Sequence, residues 1–88
     1  MVDKIEILFK KKPMLILTTL LLDEKARYGT VLAKKADCTY SHTVKILNTL
    51  NKLKLIEFEK RGRIKLIKLT NKGRQVAEYV RKIESLVS

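Results

Sequence analysis

Eighty-eight residues, 45% of them hydrophobic, make one domain with a single small core, because a chain this short buries only about 60–65% of its unfolded surface. Lys and Arg number 20 against 9 Asp and Glu, and the formal net charge of +11 points to polyanions, nucleic acid first and an anionic membrane surface second. One cysteine excludes an internal disulfide and one histidine excludes a zinc constellation, so a reduced, cytoplasmic setting with no metal or other cofactor is expected.

The charge is unevenly spread. Residues 1–38 carry +3 and residues 75–88 carry none, whereas residues 39–74, with ten cations and two carboxylates, carry +8.

Along residues 1–9, Ile5, Leu8 and Phe9 fit a helical turn while Ile5, Ile7 and Phe9 fit a short strand, and the pattern does not decide between them. Pro13 suits the first turn of a helix, where its missing N–H costs nothing, and Met14 to Leu22 continue it as an almost wholly apolar helix. Those nine residues are too few for a bilayer, which needs about 20. Asp23-Glu24-Lys25 follows where a signal peptide would place small residues, so neither a membrane span nor export is expected. Such a helix is buried on several sides, against its own domain and against a partner subunit.

Asp23 to Gly29 reads as a polar connection, and Thr30 as the cap of a short helix, Val31 to Ala36, with Leu32, Ala33 and Ala36 inward. Asp37-Cys38 turns the chain, with Cys38 as a small buried filler. Thr39 then caps a long helix to about Leu53. In that helix Val44, Leu47, Leu50 and Leu53 share an apolar stripe, while Ser41, Lys45, Asn48, Thr49 and Lys52 share the opposite side. The polar side holds no carboxylate, which suits phosphate oxygens and base edges. Two helices joined by a short turn, the second polar and basic outside, form a helix-turn-helix.

Ile56-Glu57-Phe58-Glu59 and Arg63-Ile64-Lys65-Leu66 both alternate with period 2 and predict a β-hairpin. Pairing Glu59 with Arg63, Phe58 with Ile64, Glu57 with Lys65 and Ile56 with Leu66 puts apolar against apolar and opposite charges together. That register leaves a three-residue loop, Lys60-Arg61-Gly62, with glycine at the left-handed position and a bulge or the end of pairing at Leu66-Ile67. Lys60, Arg61 and Arg63 then project from its tip. Leu69-Thr70-Asn71-Lys72-Gly73 closes the hairpin and opens a last helix, capped by Thr70. There Val76, Val80, Ile83 and Val87 recur in a two-heptad seam that Tyr79 and Leu86 widen. One core needs a single apolar edge, so this seam predicts a second copy of the chain about a two-fold axis.

This order of elements resembles a winged-helix transcription regulator, similar to the MarR-type proteins and most of all to their small archaeal relatives. The resemblance spans nearly the whole chain and is most specific at Thr39 to Ile56, at Gly62-Arg63, and at Leu69-Thr70-Asn71-Lys72-Gly73. It implies an α+β, mainly helical fold: a winged helix-turn-helix with a two-stranded wing and a C-terminal dimerisation helix, all within residues 1–88. It also implies that Tyr40, Ser41, His42, Lys45 and Thr49 enter the major groove, with Asn48 and Lys52 on the same face. Arg61 and Arg63 match the wing tip, and Lys60, Gly62 and Lys65 complete the expected wing set. Val76, Tyr79, Val80, Ile83, Leu86 and Val87 form the expected dimer interface. The family usually has glycine where this chain has Lys54, so Lys54 is expected in a helix-ending conformation that glycine adopts for about 1 kcal/mol less.

The expected function is therefore that of a sequence-specific, double-stranded DNA-binding regulator, a dimeric repressor that occludes a promoter. A winged helix used for protein contact in a transcription complex would lack a steep salt dependence on DNA. A nonspecific architectural or RNA-binding protein would show little preference among duplexes. Asp37, Cys38 and His42 lie near one another, but no catalytic motif surrounds them and no glycine-rich phosphate loop is present, so no catalytic residue is assigned. Nothing in the sequence marks a pocket for a small-molecule effector.

Overall fold

Pro13 occupies the third position of helix α1 (Lys11–Leu22), where a backbone N–H would have no intrahelical acceptor, so the helix begins two residues before the proline. The computed structural model describes Glu6, residues 9–23 and residues 27–88. Ile5, Ile7 and Leu8, on which the N-terminal alternatives rest, lie outside the described residues. Helices α2 (Gly29–Lys35) and α3 (Tyr40–Lys52) follow, then strands β1 (Ile56–Arg61) and β2 (Ile64–Leu69), and helix α4 (Asn71–Val87) closes the chain. The result is the expected mainly helical winged helix-turn-helix.

One core joins all of these elements. Ile16 and Leu17 of α1, Leu32 and Ala36 of α2, Ile46, Leu47 and Leu50 of α3, Leu55, Ile56 and Ile67 around the hairpin, and Ala77 of α4 form a single buried cluster. The buried stripe of α3 is rotated slightly from the expected one. Thr43 and Ile46 are buried beside Leu47 and Leu50, while Val44 and Leu53 are half-buried at its edges. Thr43 is tolerated there because its Oγ1 donates to the Thr39 carbonyl at 2.9 Å. Cys38 is half-buried and packs on the edge of the core.

Thr30 does not cap α2. The helix starts two residues earlier than expected, at Gly29, with Tyr28 in the cap position and no side-chain cap bond. The other two caps form as the sequence predicts: Thr39 accepts from the His42 N–H at 3.1 Å and Thr70 from the Gly73 N–H at 2.9 Å.

Helices α2 and α3 both end in a Schellman turn whose left-handed position lacks glycine. At α2, Asp37 takes φ 53°, its N–H donates to the Lys34 carbonyl, and the Cys38 N–H reaches back to Ala33. At α3, Lys54 takes φ 64° with the equivalent bonds to Asn51 and Leu50, the helix-ending conformation that the family resemblance implies. Lys12 adds a third support to the first turn, its Nζ donating to the carbonyls of Ala36 at 2.6 Å and Asp37 at 2.9 Å. A cation at a helix C-terminus meets the negative end of the dipole.

The hairpin register differs from the expected one. Ile56 pairs with Leu69, Phe58 with Ile67, Glu59 with Leu66, Lys60 with Lys65 and Arg61 with Ile64. The loop is the two residues Gly62-Arg63, with Gly62 at φ 60°, as a type II′ turn requires at its first position. No bulge interrupts Leu66-Ile67; the ladder runs through to Leu69. Burial decides the register. Ile67 and Leu69 rather than Ile64 and Leu66 share the inner face with Ile56 and Phe58, Ile67 is fully enclosed, and its N–H donates outward to the Arg27 carbonyl at 2.8 Å.

The root of the hairpin is tied to both long helices. The Thr70 N–H donates to the Leu55 carbonyl at 3.0 Å, Thr70 Oγ1 donates to the Lys54 carbonyl at 2.7 Å, and Asn51 Nδ2 donates to Ile56 at 3.0 Å. Gly73 lies so close to this junction that a Cβ would fall on the Leu55 carbonyl. Gly73→Ala is therefore expected to lower the unfolding free energy by at least about 2 kcal/mol. Lys54→Gly should raise it by about 1 kcal/mol, roughly 4–8 °C in melting temperature for a domain of this size. Urea and thermal unfolding of the two variants measure both, and a neutral Gly73→Ala would show that α4 separates freely from Leu55.

Candidate nucleic-acid interface

The face of α3 turned away from the core is open along its length. Tyr40, Ser41, His42, Lys45, Asn48 and Lys52 are exposed, and Thr49 is half-buried with its Oγ1 donating to the Lys45 carbonyl at 3.1 Å. That hydroxyl has its proton committed to the helix and faces outward as an acceptor. The helix holds no acidic residue, so its outer surface is positive and rich in hydrogen-bonding groups. Tyr40 leans toward α2, where its ring lies against Gly29.

The two faces of the wing differ in charge. The inner face continues from Ile56 and Phe58 to Lys60 on β1 and from Leu69 and Ile67 to Lys65 on β2. Lys65 Nζ stands 4.2 Å from the centroid of the Phe58 ring, a cation–π contact at the mouth of the gap between wing and α3. A cavity of about 120 Å³ occupies that gap, lined by Tyr40, Val44, Asn48, Phe58 and Lys65 among others.

The outer face carries mixed charge. Glu59 grips Arg61 Nε through Oε2 at 2.5 Å and Lys68 Nζ through Oε1 at 3.0 Å. The bonds to Lys68 and Arg61 hold the Glu59 carboxyl below its usual range, so it stays ionised. Arg61, expected to project from the tip, is folded back onto this carboxylate, while Arg63 and Gly62 form the exposed loop. The sequence pairs Glu59 with Arg63, whereas the structure pairs it with Arg61 and with Lys68, which the sequence did not single out. The signal for Glu59 was present, since residues 59 and 61 must share a strand face. Lys12 and its bonds to the α2 carbonyls were not foreseeable, because nothing local marks a contact across 24 residues.

The apolar seam of α4 divides in two. Val80 is buried and Val76 half-buried against the chain's own core, together with Ala77. Tyr79, Ile83, Leu86 and Val87 are 64%, 50%, 85% and 80% exposed, and Leu22 at the end of α1 is 59% exposed. A broad groove of about 900 Å³ runs between α1 and α4, lined by Leu21, Leu22, Tyr79 and Lys82 among others. No helix among the described residues is long and apolar enough to cross a membrane.

No family model matches the sequence. A protein of Archaeoglobus fulgidus with no described function is 31% identical over 84 residues, which cover 92% of this chain and 88% of that one. The crystal structure of AF1382 from Archaeoglobus fulgidus superposes with a TM-score of 0.84 at 30% identity, over 96% of both chains. The Staphylococcus aureus regulator MepR, in a structure solved as a DNA complex, matches at 0.78 and 22% identity, over 97% of this chain and 73% of MepR. SPO1453 of Silicibacter pomeroyi, a MarR family transcriptional regulator, matches at 0.74 and 24%, over 96% of this chain and 61% of its own. The chain therefore belongs, with its Archaeoglobus fulgidus relatives, to a family of small winged-helix proteins that carry the fold of MarR-type transcriptional regulators.

Proposed function

We propose that this protein is a sequence-specific, double-stranded DNA-binding transcription regulator that acts as a homodimer and represses by occluding a promoter. The observation that carries this reading is the outer face of α3: six exposed polar or aromatic side chains, two of them lysines, on a helix without a carboxylate. A helix of that kind, held by a buried opposite face and flanked by a basic hairpin, fits the major groove. The +8 carried by residues 39–74 supplies the attraction to phosphate. MepR, which shares this fold, has been solved as a DNA complex, and that supports a DNA partner.

The exposed end of α4 supports the homodimer. Tyr79, Ile83, Leu86 and Val87 expose apolar side chains at helical spacing along α4, and Leu22 adds another where it lines a groove with Tyr79, a grouping that favours a protein partner over water. Pairing it about a two-fold axis would place two α3 helices about 34 Å apart and favour a palindromic site.

Two measurements test this. Lys45→Ala should cost about 1–3 kcal/mol on a duplex selected from a random library and much less on a scrambled duplex at the same salt, because Lys45, midway along α3, can donate to guanine O6 and N7. Equal losses on both would make it a phosphate contact, and no loss on either would remove this face from the interface. Ile83→Asp with Leu86→Asp, both at exposed positions, should convert a dimer to a folded monomer in sedimentation. A wild-type chain that is monomeric at micromolar concentration would defeat the dimer reading.

A further inference from the structure

We propose that a duplex phosphate strand is seated in the cleft between α3 and the wing by Lys60 and Lys65, and that Arg61, on the wing's outer face, stays off the DNA. The proposal rests on the DNA-binding reading above and assigns which wing cations perform it. Both lysines belong to the expected wing set; the departure is that Arg61, expected at the tip contact, is excluded from it.

The argument begins with strand geometry. Antiparallel partners alternate between pairs that exchange hydrogen bonds and pairs that do not, and in the second kind the side chains stand closest. The Ile67 N–H points away from β1, to the Arg27 carbonyl, so Phe58–Ile67 is a pair of the second kind. Lys60–Lys65 is two steps along the same ladder and is therefore another. Two ammonium groups thus share the closest cross-strand position, where like charges destabilise a hairpin. Neither has a carboxylate partner among the described residues. An anion between them removes that repulsion.

Position selects phosphate on a duplex as the anion. The Lys60–Lys65 face is the one turned toward α3, and Lys65 shares the wall of the small cavity with Tyr40 and Asn48. A strand backbone passing the exposed side of α3 would run along this wall. The outer face offers the reverse environment, with Glu59 neutralising Arg61 and Lys68 and a second carboxylate, Glu57, beside them. Lysines set on a hairpin to discourage edge pairing would serve equally on either face. Here the mixed charges lie outside and the unmixed pair lies inside.

The test compares wild type, Lys60→Met, Lys65→Met, the double variant and Arg61→Met on one duplex, across a salt series, with a thermal melt of each. Methionine keeps the aliphatic stem over Phe58 and removes the charge. Each lysine variant should flatten the plot of log affinity against log salt by about 0.9, and the double variant by about 1.8. Its melting temperature should stay close to that of wild type, since the variant deletes the Lys60–Lys65 repulsion together with the Lys65–Phe58 cation–π contact. Arg61→Met should leave the slope as in wild type. A flattened slope in Arg61→Met with wild-type slopes in the lysine variants overturns the assignment, as does a lowered melting temperature with an unchanged slope in the double variant. A wild-type chain that binds no duplex at any salt overturns the DNA reading itself, and this assignment with it.

Discussion

The relation between α3 and the wing depends on the junction of Lys54 and Leu55 with Thr70 and Gly73. Lys54 ends α3 in the left-handed region, its carbonyl accepts from Thr70 Oγ1, the Leu55 carbonyl accepts from the Thr70 N–H, and Gly73 lets α4 close over that carbonyl. Four elements are fixed by this one turn: the end of α3, both ends of the hairpin and the start of α4. Because the wing is only two strands, it has no second sheet to orient it. An isolated hairpin is marginal in water, so its aim must come from its root.

On that frame the charge is arranged by face as well as by amount. The surface of α3 and the inner face of the wing are positive without compensation, whereas Glu57 and Glu59 together balance Arg61 and Lys68 on the outer face. Surface ion pairs of this kind contribute little to stability. Their effect here is to decide where the positive field of the wing is directed. The same separation runs along α4, whose first half covers the chain's own core through Ala77 and Val80 and whose second half leaves Ile83, Leu86 and Val87 in water.

Much of this was legible in the sequence. The helix from Thr39, its cap, the polar face of Ser41, Lys45, Asn48 and Lys52, the hairpin and the Thr70 cap all follow from local chemistry, while the strained Lys54 follows from the family resemblance. Period, capping hydroxyls and backbone preference act within a few residues, and that is the range over which a sequence can be read. Gly73 could be marked as part of Leu69-Thr70-Asn71-Lys72-Gly73, but the reason for it, the Leu55 carbonyl in the space of a Cβ, belongs to the tertiary structure.

Tertiary packing decided where local rules fell short. Residues 64–69 read Ile-Lys-Leu-Ile-Lys-Leu, so apolar side chains occur on both faces, and local pairing favours the register that sets opposite charges together over the one the structure adopts. Only the core and the Arg27 carbonyl select the one that buries Ile67, and that choice brings Lys60 opposite Lys65 and moves Arg61 to the far face. Which apolar residues of α4 belong to the core and which to the outside was undecided for the same reason, since a heptad seam does not record where its own domain ends. The sequence by itself determined the elements, their caps and the sign of the charge on them. The three-dimensional packing decided the register and the outward direction of each cation, because both depend on contacts between residues distant along the chain.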